Sequence, residues 1–95
     1  MPFTIESSSR VVAVSGGTGP VTANTWAISR MRWVSPSATS GDTCAVNDGY
    51  GNPIWQSVAQ QTAPWSEETD FAKEPPIAGI SVATLTSGTL FIMLR

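Results

Sequence analysis

The chain has 95 residues, 41% of them apolar and only 13% charged, with a formal net charge of -2 and no histidine. That length suits one domain, residues 1–95, with much of its surface left exposed. Without histidine, Ser-His-Asp and Cys-His catalysis lose their usual base and zinc its commonest nitrogen ligand, and the scattered cations Arg10, Arg30, Arg32, Lys73 and Arg95 make no basic footprint for nucleic acid.

The opening "MPFTIESSSR" has no basic segment followed by an apolar run, so a secretory leader is not expected. No stretch reaches the length of apolar sequence that a membrane-spanning helix needs, so no membrane partner is expected. Residues 10–15, "RVVAVS", are β-branched and read as a strand. Residues 16–24, "GGTGPVTAN", read as a loop. Its glycines follow a strand, as in nucleotide-binding turns, but no helix pattern follows to receive a phosphate. Residues 25–34, "TWAISRMRWV", read as one strand, with Ala27, Ser29, Met31 and Trp33 on one side and Trp26, Ile28, Arg30, Arg32 and Val34 on the other.

Residues 42–47, "DTCAVN", place Cys44 and Val46 on one face of a further strand. Cys44 is the single cysteine, so no disulfide framework is possible and it is expected to pack as a small apolar side chain. "NDGYGNP" follows, residues 47–53. A calcium loop needs alternating acidic ligands and a late bidentate Glu, whereas Asp48 is the only carboxylate between Asp42 and Glu67. A phosphate loop needs a lysine at a helix start. Between two strands, Asn-Asp-Gly instead signals a hairpin, and Pro53 suits a strand entrance. Neither metal nor cofactor is therefore expected.

The second strand of that hairpin is residues 53–58, with Ile54, Gln56 and Val58 opposite Trp55 and Ser57. Residues 59–76, "AQQTAPWSEETDFAKEPP", read as a long loop, and loops of this length are candidates for contact rather than mere connection. The acids Glu67, Glu68, Asp70 and Glu74 lie too close together in it to suggest a divided acid and base pair. Residues 77–85 form the next strand, with Ile80, Val82 and Thr84 on one side and Ser81, Ala83 and Leu85 on the other. "LTSGT", residues 85–89, reads as a tight hairpin with Gly88 supplying a positive φ. The final run, residues 89–95, is apolar on both faces, as in a strand at the middle of a sheet.

Six short strands separated by turns predict an all-β fold, an antiparallel β-sandwich of jelly-roll-like form. Trp33 and Trp55 are assigned to its core. Trp65 and Phe71 are the expected anchors of a partner interface, with Glu67, Glu68 and Asp70 at its rim. A sugar-stacking platform of Trp26, Trp65 and Tyr50 is the rival use of the aromatic residues.

In order, "ISRMRWV" (28–34), "GDTC" (41–44), "NDGYGNPIW" (47–55) and "GISVATLTSGTL" (79–90) resemble short all-β virion proteins of tailed bacteriophages. The resemblance covers roughly the last two-thirds of the chain and consists of strand-and-turn patterns without catalytic residues. It implies a structural role. Joined to the low charge and the polar-aromatic loops, it sets the expectation of a non-enzymatic capsid decoration, or cement, protein that bridges capsomers. Its expected partners are the major capsid protein and itself, as a trimer. It would be made in the host cytoplasm and sit on the capsid surface of the virion. The alternative is a carbohydrate- or receptor-binding module of a tail or fibre.

Overall fold

The computed structural model describes residues 3–8, 10–62 and 64–95. Among the described residues nine strands follow one another: β1 (Thr4–Ser8), β2 (Val11–Ser15), β3 (Gly19–Trp26), β4 (Ile28–Ser35), β5 (Thr43–Asp48), β6 (Pro53–Val58), β7 (Trp65–Asp70), β8 (Ile77–Leu85) and β9 (Thr89–Leu94). They form two sheets, one in the order β1-β2-β9-β4-β7 and the other β3-β8-β5-β6. Every ladder is antiparallel. Among the described residues no helix is long and apolar enough to cross a membrane.

The pairing has a nested logic. β5 pairs with β6, β4 with β7, β3 with β8 and β2 with β9. The chain from β2 to β9 is thus a long hairpin ribbon folded at the β5–β6 turn. Wrapping the ribbon brings β9 against β4 and β8 against β5, which completes the two four-stranded sheets of a jelly roll. β1 adds a fifth strand beside β2. The inner faces meet in one core that includes Val14, Met31, Trp33, Cys44, Val46, Ile80, Leu90 and Ile92, all fully or almost fully buried.

Several expectations hold. Trp33 and Trp55 are buried, as is Cys44. β9 lies in the middle of its sheet, with Leu90 and Ile92 buried inward while Phe91 and Met93 remain partly exposed. The β5–β6 hairpin forms where Asn-Asp-Gly predicted it.

Others are corrected. The expected strand over residues 25–34 is cut at Ala27, because Trp26 pairs with Ile77 in one sheet and Ile28 with Leu94 in the other. The loop expected at 16–24 holds the start of β3; β3 is an edge strand, where Pro20 removes no needed donor. The long loop 59–76 contains β7, paired to β4 from Ser35↔Trp65 to Arg30↔Asp70. Its burial alternates with period two throughout, but its inward residues after Trp65 are Glu67 and Thr69, so no hydrophobic alternation revealed it. β1, polar and mostly exposed, escaped for the same reason.

Residues 85–89 are not a hairpin: β8 and β9 lie in different sheets, and the turn is a corner between them. Leu85 was expected opposite Ile80 and Val82, yet all three are buried in the core. Ala45 pairs with Thr84 but Val46 with Val82, so the extra residue Ala83 forms a bulge that flips the strand's phase.

The Cys44 thiol is pushed up to about 12 by burial. At about pH 8 a thiolate-directed reagent should therefore leave Cys44 unmodified in the native protein and label it once guanidinium unfolds the chain. Labelling at equal rates in both states would contradict this placement.

Candidate functional site

One end of the sandwich gathers the β5–β6 turn, the β7–β8 connection and the chain's last residue. Asp48 organises the turn. Its amide donates to the Asn52 carbonyl at 2.8 Å, and Gly51 N donates back to the Asp48 carbonyl at 3.2 Å. Its carboxylate Oδ1 accepts from Tyr50 N at 2.8 Å and Asn52 N at 2.9 Å. Bonds from the Asn52 amide above all hold this carboxyl below the usual carboxylate range. The acid is consumed in shaping the turn, which answers what the Asn- and Gly-rich stretch does in the fold. Gly49 N also donates to the Ala78 carbonyl at 2.9 Å. A Cβ on Gly49 would lie 2.7 Å from that same oxygen, so only glycine lets the turn lean on the start of β8.

The effect is to hold Tyr50 out in solvent, 82% exposed, on a turn whose backbone is tied at both ends. Facing it is the segment between β7 and β8. Phe71 N donates to the Ser29 carbonyl at 2.8 Å and Glu74 N to the Phe71 carbonyl at 3.0 Å. Asp70 caps this bend by accepting from Ala72 N at 2.8 Å. Arg95 Nη2 donates to the Glu74 carbonyl at 2.6 Å, so the last residue braces the same wall. Between the two walls lies a cavity of about 360 Å³, lined chiefly by Tyr50, Ile54, Phe71, Pro75, Pro76 and Ile77, with Asp48 and Glu74 beside them. Rings, prolines and branched side chains can bury apolar surface there, while the Tyr50 hydroxyl and the Glu74 carboxylate offer polar contacts.

The residues expected at a partner interface are only partly brought together. Phe71 forms part of this cavity, though it is itself nearly buried in the chain's own core. Trp65 stands at the other end of β7, roughly 15–20 Å away by strand rise, between Arg32, Val34, Pro36 and Pro64. It is half-buried against the core, and its indole N–H is buried with no hydrogen-bond partner among the described residues. Glu67 points inward and accepts from Ser57 Oγ at 2.7 Å. Beside it Trp55 Nε1 donates to Thr69 Oγ1 at 2.8 Å. Together these two bonds lace edge strand β6 to edge strand β7. Glu68 points outward to an ion pair with Arg30 at 3.2 Å.

Trp26, Trp65 and Tyr50 likewise form no common platform: Trp26 and Trp65 pack against the core, and only Tyr50 stands free. Sequence reasoning underrated Tyr50 because it treated the turn as a connection. Pro75-Pro76 after Phe71 was the available signal, a stiff apolar segment with no strand pattern to absorb it. Among the described residues no group of three or more His, Cys, Asp or Glu is placed to hold a metal ion.

These features define an antiparallel jelly-roll sandwich with an aromatic and proline-walled cavity at one end. In comparisons with known proteins, no family model, no curated protein and no solved structure matches the chain.

Proposed function

We propose that this protein is a virion structural protein of a tailed bacteriophage, a capsid decoration protein that binds the major capsid protein through the Tyr50 end of the sandwich. The observation that carries the proposal is the fixed exposure of Tyr50 opposite Pro75 and Pro76. An aromatic ring held out on a rigid turn beside an apolar cleft loses little conformational freedom on binding, which is the profile of an interface anchor. The jelly roll supports the proposal by analogy alone, since viral shells and lectins both use it. The low charge and the resemblance to phage virion proteins point the same way, and the protein acts without catalysis or cofactor.

A second reading has one specific observation behind it. Tyr50 and Glu74 both line the cavity, and a ring beside an acidic residue is also how a sugar is held. The test is co-sedimentation of Tyr50→Ala with capsids lacking the protein. Loss of the anchor should weaken capsid binding roughly thirtyfold or more, while Glu68→Ala, on the outer face of the other sheet, should bind as the unmodified protein does. Unchanged binding by Tyr50→Ala would overturn the capsid contact. Glycan-array binding that Tyr50→Ala abolishes would favour the carbohydrate reading instead.

A further inference from the structure

The outer face of the five-stranded sheet carries a pattern that its register makes explicit. One row across the strands reads Glu6, Ala13, Phe91, Arg32, Glu68. The next reads Ser8, Val11, Met93, Arg30, Asp70. Small or short residues on β2 thus lie beside large apolar ones on β9. An acid on β1 lies on one side of this stripe and a base on β4 on the other. Val11 is exposed, and Ala13, Phe91 and Met93 are partly so. Glu6 and Arg32 are exposed. Arg30 already pairs with Glu68, whereas neither Glu6 nor Arg32 has an ion-pair partner among the described residues.

We infer that this face binds a second copy of the chain across a two-fold axis that runs parallel to the strands, between β2 and β9. Rotation about that axis exchanges β1 with β4 and β2 with β9. Glu6 of each copy then meets Arg32 of the other, Phe91 lies on Ala13, and Met93 lies on Val11. The charges select this axis. Moved onto β9, it would set Glu6 against Glu68. Turned perpendicular to the strands through the same row, it would set Arg32 against Arg32 and Glu6 against Glu6. Like charges at these positions oppose association.

An isologous contact of this kind closes at two copies, so the surface specifies a dimer where the composition and resemblance had suggested a trimer. About this axis β1, β2, β9 and β4 of each copy face one another while β7 overhangs; four strands spaced about 4.8 Å apart over three residue rows give a contact on the order of 800 Å² in total. That is the size of a weak, transient interface, and a weak micromolar dimer is expected. An axis parallel to the strands keeps the two copies pointing the same way, so both Tyr50 ends face the same side. The dimer stands on the sheet alone and does not depend on the capsid reading.

The test is analytical ultracentrifugation of the whole chain, of Glu6→Arg, of Arg32→Glu, and of an equimolar mixture of these two variants. Both positions are exposed and outside the core, and circular dichroism checks that each variant is folded. The unmodified protein should dimerise reversibly. Each variant sets two like-charged pairs against each other and should associate roughly tenfold more weakly. The mixture should regain the original affinity. In a mixed dimer the two substituted side chains, now of reversed sign, face each other at one contact, and the native Glu6–Arg32 pair reforms at the other. Added salt should shrink all these differences. A protein still monomeric at roughly 0.5 mM, a trimer, variants that dimerise like the parent, or a mixture no stronger than its components would each overturn the inference. Loss of capsid binding in Tyr50→Ala with dimerisation intact would separate this contact from the proposed function.

Discussion

Trp33→Ala is expected to destabilise the protein by about 4–6 kcal/mol, enough to leave much of it unfolded at 25 °C given the ~5–15 kcal/mol that domains of this kind possess. Trp33 is fully buried in the middle of the core. Removing the indole forfeits its transfer energy and leaves a cavity that the surrounding strands cannot fill, an effect of about 3–5 kcal/mol by itself. The remainder comes from one hydrogen bond. Trp33 Nε1 donates to the Ser87 carbonyl at 2.8 Å, and a part-buried acceptor left without its donor adds about 1 kcal/mol. Trp33→Phe separates the two contributions, since it keeps most of the buried ring and loses only the bond and some volume. Urea unfolding followed by circular dichroism should order the stabilities as parent, Trp33→Phe, Trp33→Ala. An Ala variant within about 1 kcal/mol of the parent would mean that the indole is not at the centre of the core.

Gly88→Ala should cost nearly as much, about 3–5 kcal/mol, from a single added methyl group. Gly88 sits at φ 75, in the left-handed region. A Cβ there would collide with the Val34 carbonyl oxygen and lie 2.7 Å from Ser35 Cα. Both are backbone atoms of β4, a central strand held on one side by β9 and on the other by β7, so neither can retreat cheaply. The corner is also tied from outside. Ser87 Oγ donates to Asp42 Oδ2 at 2.8 Å and lies 2.7 Å from the buried Ser35 Oγ, while Thr43 N donates to Thr86 Oγ1 at 2.8 Å. At roughly 4–8 °C per kcal/mol for a domain of this size, the melting temperature should fall by more than about 12 °C. Gly41→Ala is the control: φ is 97 there, but a Cβ would meet nothing within 4 Å, so only about 1 kcal/mol of backbone strain is expected. Equal melting temperatures for the two variants would show that the Gly88 corner is not held against β4.

The aromatic side chains show what was legible at the site and what was not. Phe71 was read as an interface anchor, and it forms one wall of the cavity together with Pro75 and Pro76, whose role there was not read. Trp65, six residues before Phe71, was assigned to the same interface but lies at the far end of β7 against its own core. The two looked adjacent because the segment read as a loop; extended into a strand, it carries them apart. Glu67 and Glu68 looked like one acidic rim for the same reason, yet period-two alternation sends Glu67 inward to Ser57 and Glu68 outward to Arg30.

That the protein is all-β follows from its local sequence. The two-sided patterns of β5 and β6, the β-branched run of β2, the apolar run of β9 and the turn chemistry at Asp48 are local properties, set by steric preference and by hydrogen bonds between near neighbours in the chain. Part of the deep core follows in the same way, since Trp33 and Cys44 were assigned inward from their own strands, whereas Leu90 and Ile92 were not distinguishable from Phe91 and Met93 on the opposite face of the same apolar run. The assignment of each strand to its sheet is instead a property of the folded whole. Ala27 divides one apparent strand between two sheets, and the corner at Ser87 and Gly88 separates β8 from β9 where a hairpin signal would have joined them. Those choices rest on pairing between residues far apart in sequence, β2 with β9 and β3 with β8, and on the closure of two apolar faces over one core. Local propensity carries no information about them, since a turn that reverses the chain serves equally to pair two strands or to pass from one sheet to the other.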